Sequence, residues 1–179
     1  MNHCSSNLDS HSNVHQLIGR EVHFGFGIKP EVDIHLQKAA SLVASREKSL
    51  QALKQAERAA PDQLEVLVAL FKFHFYQGET EAAETLVLKT LEAASQQGGF
   101  CRDWRRLTAQ STDWHDPRAP GRLYLYSLKA LAFIRLRQNA QDAAESILNT
   151  LARLDPQNQV GADVIRDLLD AIAEEQNDG

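Results

Sequence analysis

From Pro30 onward, apolar residues recur at helical spacing in short segments, and turn residues cut those segments at regular intervals. Pro30 suits the first turn of a helix. Between Ser45 and Ala60, Leu50, Leu53, Ala56 and Ala60 fall on one helical face, and Pro61 stops the run. Asp62, with Glu65 three residues on, has the spacing of a capping box for the next helix. That helix, Leu64 to Gln77, carries Leu67, Leu70, Phe71, Phe73, Phe75 and Tyr76 and is too apolar all round to lie on a surface. Gly78 ends it, and Thr80 can cap a helix running to about Ser95. Helical periodicity resumes at Leu123 and runs to Gln138; Asn139 is the next left-handed turn candidate. Helices over Gln141–Leu154 and Val160–Glu175 follow, separated by Asp155-Pro156. Nothing alternates with the period of a strand, so the fold class is all-α. The turn residues Ala44 and Gly78 lie 34 residues apart, and Asn139 lies 61 beyond Gly78, one period plus an insertion of 27.

Bulk properties narrow the function classes. The chain has 179 residues, 43% hydrophobic and 24% charged, as expected of one soluble domain. A formal net charge of −5 argues against a broad grip on nucleic acid, which needs a basic face. No apolar run is long enough to span a bilayer, and Met1 to Gly19 lacks the basic start and apolar core of a signal peptide. Cys4 and Cys101 make no disulfide framework. These readings place the protein in the cytoplasm.

A 34-residue helix–turn–helix period is that of the tetratricopeptide repeat, and the chain resembles that family at identifiable residues. The third unit matches best: Leu128, Leu131 and Ala132 on its first helix, then Asn139, Ala144, Leu148, Leu151 and Pro156. In the second unit Leu67, Leu70, Gly78, Ala83 and Val87 match, but Phe71 falls where the family has a small residue and Ser95 replaces the proline. Leu36, Leu53, Ala56 and Pro61 carry the first. The resemblance implies stacked antiparallel hairpins forming a short right-handed solenoid, with units at about 30–63, 64–97 and 125–158. An insertion at 98–124, a capping helix at 160–175 and an N-terminal tail at 1–29 complete the plan. Ala83, Ala132 and Ala144 would then let helices approach closely. The FKFHFYQ, DWRRLT and LYLYSLKALAFIRLR stretches also resemble a group of short repeat proteins associated with bacterial nitrogen-fixation gene sets. That implies an accessory role in nitrogenase maturation or regulation.

Repeats of this kind bind partners along the groove lined by the first helix of each hairpin. The family's groove positions correspond to Ile34, Lys38 and Ser41 in the first unit and to Val68, Lys72, Phe75 and Tyr76 in the second. In the third they correspond to Tyr126, Lys129, Phe133 and Arg137. A groove that is basic and aromatic on an acidic protein suits an extended or helical protein segment with acidic and apolar residues; the alternative is that Phe75 and Tyr126 are simply core and Lys72 a solvated charge. The paired Asn and Lys of carboxylate-clamp members are not matched, since Ala69 and His35 stand at such positions. The insertion adds a second candidate surface in Trp104, Arg105, Arg106 and Trp114, with a structural plug as the alternative. Exposed bulk on the second unit would support a homodimer. A secretion-type (type III, class II-like) chaperone and a nucleic-acid adaptor using the Arg-rich insertion are competing readings; the insertion argues against the first and net charge against the second.

Catalytic chemistry finds no constellation. His3, Cys4, His11, His15 and His23 crowd the tail without the spacing of a structural zinc site, and Gly25 and Gly27 make no phosphate loop. Cys101 beside Arg102, with His115 downstream, lacks anything to fix a nucleophile–base pair. Asp113 and Asp116 read as turn residues rather than paired carboxylates. The expectation is a binding protein with no metal, no cofactor and no enzymatic activity.

Overall fold

A computed structural model of the chain describes residues 27–177, so the expectations for the histidine-rich tail lie outside the described residues. The described residues form seven α-helices and no strand: α1 Pro30–Ser41, α2 Arg46–Ala59, α3 Leu64–Tyr76, α4 Thr80–Gly98, α5 Pro120–Arg137, α6 Gln141–Leu154 and α7 Asp163–Asn177. A 3₁₀ turn, Trp104–Arg106, interrupts the α4–α5 connection. The class is all-α, as the periodicity predicts. Three helical hairpins (α1/α2, α3/α4 and α5/α6) succeed one another, and α4 packs extensively on α5 across the insertion. α1 also touches α3, and α3 touches α5. α7 closes the order against α5 and α6.

Helix ends show how local chemistry sets these hairpins. Gly78 has φ 75°, and the Glu79 N–H donates to the His74 carbonyl at 2.9 Å. Asn139 repeats this with φ 58° and Ala140 donating to Arg135 at 2.9 Å. Gly99 does the same, with φ 68° and Phe100 donating to Ser95 at 3.1 Å. All three are left-handed ends with the six-to-one hydrogen bond of a Schellman motif. The first turn differs. Leu42 donates to Lys38 and Ala39, Ser45 donates to Leu42, and Ala44 does not take positive φ. The 34-residue spacing of Ala44 and Gly78 therefore relates two turns of different conformation.

The N-terminal caps also depart from expectation. Asp62 does not cap α3; Gln63 precedes the helix without a side-chain cap, and the Asp62 carbonyl accepts from the Gln97 amide at 2.8 Å. Thr80 begins α4 rather than capping it. Glu79 stands before it, with its carboxylate held by His74 Nδ1 at 2.6 Å and by the Arg46 guanidinium of α2. α5 starts at Pro120, earlier than the apolar period at Leu123, because a proline at the first position needs no hydrogen-bond partner for its nitrogen.

Burial divides the interior in two. A smaller cluster (Val32, Leu36, Leu53, Ala56, Val66 and Leu70 among it) joins α1 and α2 to one side of α3. A larger one runs from Leu67 and Phe71 of α3 through α4, α5 and α6 to Ile165 and Leu169 of α7. Ala83, Ala132 and Ala144 are fully buried within it. No helix among the described residues is long and apolar enough to cross a membrane.

Candidate partner-binding surface

α3 and α5 touch, so Phe71 and Phe75, one turn apart on α3, face Tyr126 and Phe133, two turns apart on α5. Phe75 of α3 meets Phe133 of α5 with ring centroids 5.4 Å apart, and Phe71 stacks on Tyr126 at 6.2 Å. Lys129 Nζ sits 5.0 Å from the Tyr126 ring centre and donates to the Val160 carbonyl at 2.5 Å, just before α7. Residues expected in the groove of the second and third units thus touch one another. Tyr126, Lys129 and Phe133 are buried, and Val68 is wholly inside. They were expected to line an open surface, but α5 is flanked by α3, α4, α6 and α7 and has almost no free side. Lys72, Phe75 and Tyr76 are half-buried and form the accessible lip. Lys38, Ser41 and Arg137 are exposed, and Ile34 is 65% exposed.

Electrostatics follow from that placement. Burial lowers the Lys129 pKa to about 8; the nearby Arg122 and Lys72 cations push the same way, and Asp155 opposes them. Burial also lowers Lys72. Tyr126 and Tyr76 are raised, again chiefly by burial. Asp155 is committed to the backbone, accepting from Gln159 N–H at 2.9 Å and Val160 N–H at 2.8 Å. Arg122 donates to the Gln159 carbonyl at 2.7 Å and its side-chain oxygen at 3.2 Å. The result is a cluster of cations on an acidic protein, costly to keep charged and favourable to an incoming anion.

The insertion is built differently from the exposed surface expected. Trp114 is 2% exposed and is core, with its indole N–H donating to the Thr108 carbonyl at 2.9 Å. Its ring meets Phe100 at 5.2 Å, and Phe100 meets Tyr124 of α5 at 5.1 Å; the Tyr124 hydroxyl donates to the Arg102 carbonyl at 2.8 Å. Two glycines permit this. A Cβ on Gly121 would lie 3.3 Å from the Trp114 ring, and one on Gly98 would lie 2.3 Å from the Phe100 ring. Asp113 and Asp116 accept from the N–H groups of His115 and Arg118 at 2.9 Å, so both are turn residues. The structural plug was the alternative reading, and for Trp114 it holds.

Trp104 is half-buried, Arg105 stacks over its ring at 4.8 Å, and Arg105 and Arg106 are exposed as anticipated. Together with Leu88, Lys89, Glu92 and Arg102, Trp104 and Arg105 border an open cleft of about 790 Å³ between α4 and the insertion. Its charges are largely matched: Arg102 pairs with Glu92 at 2.9 Å and Arg105 with Asp103 at 3.4 Å. Cys101 is exposed, and the His115 ring lies 3.3 Å from the Gln159 amide.

With this geometry in view, comparison with curated proteins is informative. The chain is 32% identical over 126 residues to an uncharacterized 19.8 kDa protein in the nifW 5′ region of Azotobacter chroococcum mcd 1, covering 69% of each chain. The chain belongs to that protein's family. No family model matches the chain, so the tetratricopeptide resemblance stands on the residues quoted for it. No solved structure matches it either. The family is thus tied to a nif gene region by a relative of nearly equal length.

Proposed function

We propose that this protein is a cytoplasmic, tetratricopeptide-like adaptor or assembly chaperone that binds another protein rather than catalysing a reaction, and that it serves the maturation or regulation of nitrogenase. The cation cluster at the α3–α5 face carries the binding reading. Lys72 and Lys129 are desolvated beside one another, and the neighbouring Asp155 carboxylate is already held by two backbone N–H groups. A carboxylate presented there by a partner would meet charge that the fold leaves under-compensated, next to the Phe75 and Tyr76 rings. The partner would be a segment mixing acidic and apolar residues. The relative in the nifW 5′ region supports the pathway. Three consecutive helical hairpins, two of them (α3/α4 and α5/α6) with left-handed turns at Gly78 and Asn139, support the repeat architecture.

Affinity capture from cells growing on dinitrogen, followed by mass spectrometry, tests this. Lys72→Glu, at the half-buried lip, should lose a stoichiometric protein partner that the parent chain retains, while circular dichroism stays unchanged. An undiminished capture would reject the site.

A further inference from the structure

The two outermost faces of the molecule match each other. Four of the five large apolar side chains exposed among the described residues lie at opposite ends of the helix order. Ile34 (65% exposed) and Val43 (79%) belong to the first hairpin, whose helices pack on each other and on α3. Val164 (48%) and Leu168 (37%) belong to α7, which packs on α5 and α6. Val164 and Leu168 are one turn apart, beside the buried stripe of Ile165 and Leu169. α7 therefore has an apolar arc wider than its own chain covers, where the outer face of a terminal repeat helix is ordinarily polar.

Charge distinguishes the two ends. α7 carries five acidic residues and one basic, and the Arg166 guanidinium is bound to Asn149. Residues 29–58 carry six basic residues against four acidic. Lys38, one turn from Ile34, joins Lys48 and Leu42 in a hollow of about 200 Å³ between α1 and α2, and no carboxylate among the described residues lines it. The acidic flanks of the Val164–Leu168 stripe at one end thus have, at the other, a lysine-lined hollow with the exposed Ile34 one turn from Lys38 on α1 and the exposed Val43 in the turn that follows. Two copies of α7 face to face would set acid against acid, and two first hairpins joined at this hollow would bring Lys38 and Lys48 against the same lysines.

We propose that the chain associates with itself head to tail, α7 of one copy packing on the α1–α2 face of the next. This contact is heterologous, so it leaves one free end of each kind on every dimer and permits further addition. It shares Ile34 and Lys38 with the groove expected along the first helices, but uses none of Lys72, Lys129, Phe75 and Tyr76, on which the partner site proposed above rests.

Sedimentation velocity on the full 179-residue chain tests it. The parent chain should gain mass beyond a dimer as concentration rises, and added salt should weaken the association. Ile34→Asp and the double variant Val164→Gln/Leu168→Gln alter exposed residues only, so both should fold. Each alone should stay at 20.0 kDa, with its dissociation constant raised at least about tenfold, because one of its two faces is spoiled. Mixed in equal amounts they should form a dimer that does not grow, since one intact head and one intact tail remain. Self-association of either variant alone would indicate a symmetric contact and overturn the proposal. A parent chain that stays monomeric at all concentrations would overturn it as well, as would a mixture that stays monomeric.

Discussion

Replacing Lys129 with methionine removes a cation that the fold holds in a poor environment, and the size of the effect follows from its position. The side chain is 6% exposed, and burial with Arg122 and Lys72 nearby brings its pKa from 10.5 to about 8. Below pH 8 both folded and unfolded chains carry the proton, and the folded state bears the full cost of the buried charge, about 3 kcal/mol at 1.36 kcal/mol per pKa unit. Between pH 8 and 10.5 the folded chain releases the proton while the unfolded chain keeps it, so stability rises with pH through that window. Comparison with Lys129→Met cancels the other lysines and tyrosines that titrate there. Urea unfolding of both proteins at pH 7 and pH 10 should show the parent gaining about 2–3 kcal/mol relative to the variant. A difference that does not change with pH would mean that Lys129 is solvated, and the cation cluster would lose its warrant as an anion site. The same titration should weaken partner capture as pH rises through 8, because a neutral amine offers the partner carboxylate no charge.

Trp114→Ala should lower unfolding free energy by about 3–5 kcal/mol, read by thermal melting, because it empties the centre of the Phe100–Trp114–Tyr124 cluster. A loss below 1 kcal/mol would place the insertion outside the cooperative core. Ala132→Leu should cost about 1–3 kcal/mol, since Ala132 has no exposed surface and α5 has neighbours on nearly every side. Unchanged thermal stability there would count against close helix approach at this position.

Segment type and order were legible in one dimension because apolar spacing and turn chemistry act over a few residues. The hairpin turns at Gly78 and Asn139 took the left-handed conformation that their residue types favour. The helix caps expected at Asp62 and Thr80 do not form: each helix starts one residue away from the expected boundary, behind Gln63 and Glu79, and neither of these makes a side-chain cap.

The candidate site was legible as a list of residues but not as a surface. The tetratricopeptide resemblance put Lys72, Phe75, Tyr126, Lys129 and Phe133 in one groove, and Phe75 does meet Phe133. Whether such a face looks outward depends on how many helices surround it, and no local pattern reports that. Trp114 illustrates the same point. In the sequence it suits an exposed anchor or a structural plug equally, whereas Gly121 beneath it opens the space that makes it core. What the amino-acid sequence alone determined is an all-α chain of hairpins with a break near Phe100. What only the tertiary structure decided is which aromatics and cations are buried, because burial is set by contacts between residues far apart in the chain. The pairing of a basic, apolar head with an acidic, apolar tail belongs to the same order of information, visible only when both ends are seen on one molecule.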